Sequence, residues 1–440
     1  MEKNAQLTPY EKAINYLKTS PMFNLSLSSK ELFHSNFLYW IYTKDKDVFK
    51  QLIRDICEIE TSSWLDNNWQ VKREKENFDL CICQYTPQSN QKGPKTKLNE
   101  DILLVIENKF KSLPTDKQLQ DYDAKLQKHQ NCKKILLSLT SPDEQKESSW
   151  EWVGYDKIVE ALYRIQNDRA NKSFDDYERS LIGDYATFVQ SMITLTTLWI
   201  KKDEEPSSHF LLDYKVKEQG DSQEENNDKI AETNGDQYYK DAKELRIHDL
   251  YGKYRTIKLV ERLRKKLNEQ LEKINLPQGI TLEPKMAYTR SQPILEVKIS
   301  GIGESKDDKH AEAESFLISI QGSQYRHAIN AFCDDPTNSK EKRKEESKNH
   351  IANNNNWHWF MDPGHHPRED NYRCFFPKGE IWADKGGQRK GNNYCGYAGE
   401  GGLSYIYQYK KIKDGATIEN VLDAMVNDVV NVIERLDNPQ

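Results

Sequence analysis

Residues 101–110 of this 440-residue chain, DILLVIENKF, contain its most apolar strand-like run, which ends on charged residues. Alternate residues of a strand project from the same face, so Glu107 and Lys109 should project together. Neither a carboxylate nor an ammonium group is stable beside the apolar run LLVI without partners. A surface ion pair is the alternative, because such pairs are frequent and weak. The position at the end of a buried strand favours a functional site.

A second acidic residue, Asp79, lies in the strand-like run FDLCI at residues 78–82. On adjacent strands, Asp79 and Glu107 could together hold Mg²⁺ or Mn²⁺, because hard cations prefer oxygen ligands. The backbone carbonyl of Asn108 could complete the metal shell, and Lys109 could orient a water molecule or neutralise charge on a phosphate. An aspartate that satisfies a strand-end turn is the alternative for Asp79. Together these residues predict metal-dependent hydrolysis of a phosphodiester bond.

The spacing of apolar residues predicts alternating helices and strands in the first 200 residues. A helix is expected to begin at Ser28 and to carry an apolar face from Leu32 to Ile41. Further helices are expected at 49–56, 116–129, 155–166 and 175–198, and strands at 69–73, 78–83, 102–106 and 134–139. The polar segment 84–100 predicts a long hairpin loop. The predicted fold class is α/β, with an αβββαβ core.

Asp79 and the triplet Glu107-Asn108-Lys109 resemble the signature of the PD-(D/E)XK nuclease superfamily, which has the restriction-endonuclease-like fold. The context is similar as well: a helix, then strands, the triplet at a strand end and a further helix. The proline that usually precedes the first aspartate is absent, because Asn77 and Phe78 stand before Asp79. The register of Asp79 therefore depends on the strand pattern alone. The resemblance covers roughly residues 28–200.

Two further stretches resemble parts of this family. Gln118 and Tyr122, in QLQDY, resemble the Q-x-x-x-Y pattern of one subgroup, which is typified by bacterial defence and DNA-processing nucleases. Glu31 resembles the acidic residue that the leading helix often supplies. A capping box is the alternative for Glu31 and for Gln118, because segments 28–31 and 115–118 both have that pattern. Tyr122 could instead simply pack in the core.

The resemblance implies a nucleic-acid substrate, with DNA favoured over RNA, and Mg²⁺ or Mn²⁺ as the cofactor. The site residues that it implies are Asp79, Glu107, Lys109, Gln118, Tyr122 and Glu31, with Asp79, Glu107 and Asn108 toward the metal. The subgroup resemblance suggests a role in prokaryotic defence. Two alternatives are an RNase with the same site and a non-hydrolytic nucleic-acid-binding or regulatory protein. Cutting both strands of DNA would require two active sites and hence a homodimer.

Composition bounds the class of protein. Apolar residues make up 36% of the chain and charged residues 30%, which is enough apolar content for real cores. No run approaches eighteen apolar residues, so no membrane span is expected. The N-terminal residues lack the apolar region of a signal peptide. Seven scattered cysteines do not indicate a disulfide framework, and a cytoplasmic location is expected.

The negative charge of the chain is concentrated in one segment. Residues 203–236 hold eleven Asp or Glu and three Lys, so without them the formal charge changes from −6 to +2. Nucleic-acid binding is therefore permitted by charge. The acidic, polar composition predicts a linker at 201–240, between a nuclease-like domain at 1–200 and a second domain at 241–440.

The second domain is predicted to be α+β with a mainly antiparallel sheet. A helix is expected through 259–271, strands at 281–288, 294–299, 315–320, 372–376 and 403–409, and a closing helix at 418–436. This domain would bind substrate, sense a regulatory partner or ligand, or mediate assembly.

Segment 357–374 combines histidines with aromatic and basic residues. His358, His365, His366 and Cys374 could bind zinc, but their spacing fits no standard zinc site and a loop is the alternative. The aromatic side chains could stack on nucleic-acid bases, with core packing as the alternative.

Overall fold

The structure is a computed structural model. It describes residues 7–58, 68–87, 98–112, 116–129, 131–139, 149–205, 210, 237–274, 276–289, 292–302, 315–332, 342, 381–382, 395–398, 403–413 and 415–437. The chain divides into two compact units, Met1–Leu198 and Trp199–Gln440, and each is described by itself. None of the helices within these ranges has the length and apolar composition that crossing a membrane requires.

Three helices open the first unit. Helix α1 (Pro9–Thr19), which the apolar spacing did not predict, begins at a capping box formed by Thr8 and Glu11. In that box the Glu11 N–H donates to Thr8 Oγ1 at 3.2 Å, and the Thr8 N–H donates to Glu11 Oε2 at 2.7 Å. Helices α2 (Pro21–Lys44) and α3 (Lys46–Cys57) follow.

The prediction that the second helix begins at Ser28 is wrong. Ser20 is the N-cap of α2, where its Oγ accepts from the Phe23 N–H at 3.2 Å, and Pro21 occupies the first turn. Phe23 is buried, so the upstream turn adds apolar packing and extends the helix. Glu31 therefore lies in the helix interior, and the capping-box interpretation of this residue is wrong as well.

A mixed five-stranded sheet forms the centre of the first unit, with its strands in sequence order. The strands are β1 (Trp69–Lys75), β2 (Phe78–Pro87), β3 (Leu98–Lys109), β4 (Lys133–Ser138) and β5 (Glu151–Gly154). The first three pair antiparallel, and β3, β4 and β5 pair parallel. The accompanying helices are α4 (Asp116–Leu126), α5 (Tyr155–Asn167) and α6 (Asp176–Glu204). The predicted αβββαβ core is confirmed, and β5 adds a strand that was not predicted.

Strand β3 lies in the middle of this sheet, between β2 and β4. Helix α2 contacts β1, β2 and β3. Helix α4 supplies Tyr122 and Leu126 to a buried cluster that contains Val105 of β3. Because β3 is central and packed by helices, its run ILLVI is apolar almost without alternation. The charged residues at the end of β3 are buried in the same way.

The predicted linker overlaps a helix at its start. Helix α6 continues to Glu204, beyond the boundary predicted at residue 200. Residues 206–209 and 211–236 of the predicted linker lie outside the described residues.

The second unit contains an antiparallel six-stranded sheet and three helices in its described ranges. The helices are α7 (Gln237–Glu244), α8 (His248–Leu271) and α9 (Ile418–Asp437). The strands are β6 (Thr281–Thr289), β7 (Gln292–Ser300), β8 (Ser315–Gln321), β9 (Gln324–Phe332), β10 (Cys395–Ala398) and β11 (Leu403–Lys411), in the order β10-β11-β9-β8-β7-β6. The antiparallel prediction is confirmed, whereas β9 and β10 were not predicted. The predicted strand 372–376 lies outside the described residues.

A buried polar network joins β9 to α9. The Tyr325 hydroxyl donates to Asp428 Oδ2 at 2.7 Å, and His327 Nε2 hydrogen-bonds the same oxygen. All three side chains are buried. A buried carboxylate requires such partners, which explains why polar residues occupy inward positions of β9. Because these positions are polar, apolar spacing does not predict this strand.

We expect Asp428→Ala to destabilise the second unit by about 3 kcal/mol, because it removes the buried carboxylate to which Tyr325 and His327 hydrogen-bond. Urea unfolding of the full chain would measure this change. The matched control is Asp423→Ala on the same helix, where the partly exposed carboxylate pairs with Lys266 and should contribute at most about 1 kcal/mol. Equal effects of the two substitutions would contradict the expectation.

Candidate active site

The end of β3 places a charged pair inside the first unit. Glu107, Asn108 and Lys109 are only 2%, 1% and 8% exposed. Lys109 Nζ lies 2.8 Å from Glu107 Oε1, so these two side chains project from the same face of the strand. A buried ion pair of this kind is favourable only with good geometry and further hydrogen bonds. The surrounding elements provide part of those bonds.

Asp79 lies where β2 and β3 separate. The ladder between these strands ends at Leu80 and Ile106. Beyond that point Asp79 Oδ2, rather than a backbone carbonyl, accepts the N–H of Asn108 at 2.7 Å. The half-buried aspartate is thereby held next to Glu107. Among the described contacts, this hydrogen bond ties Asp79 to β3 and not to a turn of its own strand.

The turn before Asp79 fixes its register in place of the missing proline. Lys75 pairs with Phe78, which leaves a two-residue hairpin turn at Glu76 and Asn77. Both turn residues have positive φ, 55° and 71°, as the hairpin turn that matches strand twist requires. Such backbone is unfavourable for glutamate, so the turn depends on outside contacts.

Helix α4 supplies those contacts. The Tyr122 hydroxyl donates to the Asn77 carbonyl at 3.1 Å, and Lys125 Nζ donates to the Glu76 carbonyl at 3.0 Å. The same helix therefore stabilises the turn that sets the position of Asp79.

Gln118 connects α4 to the buried pair. Its Nε2 donates to Glu107 Oε1 at 3.0 Å and lies 2.9 Å from the Tyr122 hydroxyl. Gln118 thus contacts an acidic residue directly, whereas Tyr122 acts through Gln118 and the turn. Tyr122 is also buried in the core cluster, so the packing interpretation of this residue holds as well. The capping box proposed for Gln118 begins at Thr115, outside the described residues.

Glu31 approaches this region from α2. Its carbonyl accepts the Asn108 side-chain Nδ2 at 3.5 Å. Its carboxylate is close enough to raise the pKa of Asp79 and of Glu107 by charge repulsion. Glu31, Asp79 and the Glu107–Lys109 pair are thus electrostatically coupled, although they come from three separate parts of the sequence.

Burial and mutual repulsion alter the protonation of these groups. Burial is the largest reason that the pKa of Asp79 is raised, followed by the charge of Glu107. Burial also raises the pKa of Glu107, which stays raised although the nearby Lys109 lowers it. Burial alone would lower the pKa of Lys109, but the carboxylates around it outweigh burial and leave that pKa raised. Lys109 is therefore a cation at neutral pH.

A divalent cation fits the chemistry of this donor set. Glu107 Oε2 and Glu31 Oε1 are buried and have no hydrogen-bond partner in the described structure. Excess negative charge with unpartnered oxygens is the environment that a hard cation stabilises. Among the described residues no three His, Cys, Asp or Glu side chains converge as a complete metal site. Bound Mg²⁺ would therefore rely on water and substrate oxygens, as it usually does.

Two residues that contact the site were not predicted from the sequence. The Tyr155 hydroxyl donates to Asn108 Oδ1, and Asn108 Nδ2 donates to Ser35 Oγ at 3.3 Å. Tyr155 begins α5 and Ser35 lies in α2, far from Asn108 in sequence. No local sequence pattern links Tyr155 or Ser35 to Asn108. The sequence feature that could have indicated such contacts is the polar Asn108 itself, next to a buried apolar run. The histidine-rich segment 357–374 lies outside the described residues.

Comparison with known proteins supports the fold of the first unit. Residues 22–185 match the family model described as the PD-(D/E)XK nuclease superfamily, and this match supports placing that part of the chain in the superfamily. The matched residues include strands β1–β5, all of α2 except Pro21, and the candidate site residues from Glu31 to Tyr122. Searches among curated proteins and among solved structures found no match.

We expect Asp79→Asn to stabilise the first unit by about 1–2 kcal/mol at about pH 8 in EDTA, as judged from the midpoint of urea unfolding. The folded-state pKa of Asp79 is raised, so folding is opposed by the ionised carboxylate above that pKa. The opposition is relieved as pH falls toward the usual range of aspartate, and the gain should shrink at about pH 5. The asparagine carbonyl can still accept the Asn108 N–H.

Asp121→Asn on the exposed face of α4 is the control and should leave stability unchanged. A pH-independent gain, or a loss of stability at about pH 8, would contradict the electrostatic origin of the effect.

Proposed function

We propose that this protein is a Mg²⁺- or Mn²⁺-dependent nuclease that hydrolyses phosphodiester bonds of DNA. The observation that carries the proposal is the buried Glu107–Lys109 ion pair, with Asp79 bonded to the backbone between its members. A purely structural ion pair needs no second and third carboxylate nearby. Here Asp79 and Glu31 add negative charge that the fold itself leaves uncompensated.

Asp79 and Glu107 are the side chains that would hold the metal, assisted by the backbone carbonyl of Asn108. When bound, the metal supplies a Lewis acid for the phosphate and lowers the pKa of water. Gln118 fixes Glu107 through the 3.0 Å contact to its Oε1. Glu31 adds negative charge from the side of α2.

Lys109 has a narrower role in this proposal than a general base would have. Although burial lowers it, the neighbouring carboxylates leave the pKa of Lys109 raised, which favours the protonated ammonium group. An ammonium can orient a water molecule and stabilise negative charge that develops on the phosphate. Its ion pair with Glu107 holds Nζ beside the acidic residues for both tasks.

The finer assignments rest on the family resemblance. DNA is preferred to RNA because the Gln118 and Tyr122 pattern resembles DNA-processing nucleases, and the same resemblance supports a role in prokaryotic defence in the cytoplasm. Metal-assisted hydrolysis itself does not require a 2′-hydroxyl, so an RNase remains the alternative substrate class. The second unit is proposed to bind substrate, sense a regulatory partner or ligand, or mediate homodimer assembly.

Lys109→Met should reduce cleavage of plasmid DNA by about 100-fold or more, because it removes the charge beside the scissile phosphate. The assay is plasmid conversion with Mg²⁺ or Mn²⁺, with EDTA and a matched RNA as parallel arms. The control is Lys111→Met, two residues along the chain, where Nζ donates to Ser26 at 2.6 Å and the site should be intact. Undiminished cleavage by Lys109→Met would indicate a contaminating nuclease and contradict the proposal.

Calorimetric titration separates a nuclease from a non-hydrolytic nucleic-acid-binding protein. We expect the full chain to bind Mn²⁺ stoichiometrically and Asp79→Asn to lose that binding, because one of the two acidic ligands becomes neutral. Asp121→Asn should bind as the unmodified protein does. Absence of any saturable Mn²⁺ binding by the unmodified protein would favour the binding-protein alternative.

A further inference from the structure

Asn108, the residue between Glu107 and Lys109, has a side chain that faces away from solvent and bonds to two helices. It is among the least exposed polar residues of the first unit. Its Nδ2 donates to Ser35 Oγ at 3.3 Å and approaches the Glu31 carbonyl at 3.5 Å, both on α2. Its Oδ1 accepts from the hydroxyl of Tyr155, the first residue of α5.

The backbone of the same residue bonds to a third element. The Asn108 N–H donates to Asp79 Oδ2 of β2 at 2.7 Å. One residue therefore links α2, β2, β3 and α5. Three of those elements carry Glu31, Asp79 and the Glu107–Lys109 pair, which are the charged groups of the site.

Packing alone does not account for an asparagine here. Tyr155, which bonds to Asn108, belongs to an aromatic cluster: its ring centroid lies 4.8 Å from that of Phe110 in an edge-to-face arrangement, and His34 stacks on Phe110 at 3.8 Å. An apolar residue would suit this environment, whereas a buried amide left without hydrogen bonds costs about 1–3 kcal/mol. Buried polar groups with satisfied hydrogen bonds fix one arrangement of their neighbours more strictly than apolar contacts do.

We infer that the Asn108 carboxamide, held by Tyr155 and Ser35, is a positioning device for the site. It sets the placement of α2, and hence Glu31, relative to the Asp79 and Glu107 carboxylates. This inference rests on the proposed nuclease function. Tyr155 and Ser35 are positioning residues that act through Asn108 and touch none of the charged side chains in the described contacts.

A matched pair of tyrosines tests the inference. Tyr155 and Tyr185 are both fully buried in the same aromatic cluster, and each hydroxyl has one side-chain hydrogen bond described. Tyr155 bonds to Asn108, whereas Tyr185 bonds to His34 Nδ1 at 2.7 Å. Phenylalanine at either position keeps the ring contacts, so both variants should fold with a similar loss of stability. A structural role alone predicts that they behave alike.

If Tyr155 positions the site through Asn108, the variants Tyr155→Phe and Tyr185→Phe should differ. Tyr155→Phe should lower kcat for DNA cleavage by about tenfold and weaken Mn²⁺ binding by a similar factor, with KM for DNA unchanged. Tyr185→Phe should leave kcat and Mn²⁺ affinity within about twofold of the unmodified protein. Calorimetry with Mn²⁺ gives a readout that does not depend on turnover.

Ser35→Ala is a second variant, and it should fold because alanine favours the helix interior. It removes the nearer of the two acceptors of Asn108 Nδ2 and should also weaken Mn²⁺ binding. Combining Tyr155→Phe with Asn108→Ala should give no further loss beyond Asn108→Ala alone, since both act through one group. Additive losses would overturn the inference, as would equal behaviour of Tyr155→Phe and Tyr185→Phe.

The two proposals fail in different ways. If the unmodified protein binds Mn²⁺ and cleaves DNA while the Tyr155 and Ser35 variants match it, only the positioning role is wrong. If the unmodified protein neither binds Mn²⁺ nor cleaves nucleic acid, the nuclease proposal itself is wrong and the positioning role is wrong with it.

Discussion

Burial of the Glu107–Lys109 ion pair is the constraint on which the arrangement of the first unit depends. Two charges at the end of a central strand lose their hydration, and their attraction at 2.8 Å offsets that loss only if other hydrogen bonds are satisfied. Gln118 on α4 bonds Glu107, and Asn108 joins the strand end to α2 and α5. The helices that cover the sheet thus also provide the polar contacts that the strand end requires.

The negative charges of the same site lower the stability of the fold. Asp79 and Glu31 bring further negative charge to a region where burial already disfavours ionised carboxylates. Folding positions these groups through backbone contacts: Asp79 through the Asn108 N–H, and Glu31 through its place within α2. Local destabilisation of this kind is common at functional sites, where charge must be arranged for a ligand. It is consistent with a site that a cation completes.

Most elements of both units follow from apolar spacing, and the failures have identifiable causes. The start of α2 was misplaced because Ser28 resembles a cap, whereas burial of Phe23 extends the helix to Pro21. Apolar spacing does not predict strand β9, because the polar residues Tyr325 and His327 occupy buried positions in it. Their partner Asp428 lies about a hundred residues away, on α9. Local spacing carries no information about such a partner.

For the site, the sequence by itself determined that Glu107 and Lys109 share a face, because the two-residue period of a strand is a local property. It also placed Gln118 and Tyr122 one helical turn apart. Only the tertiary structure decided how Asp79 is held, through a hairpin turn that α4 stabilises and a bond to the Asn108 N–H. It alone brought Tyr155 and Ser35 to the Asn108 side chain. The physical reason is that such bonds join residues far apart in sequence, whose proximity depends on how helices pack on the sheet.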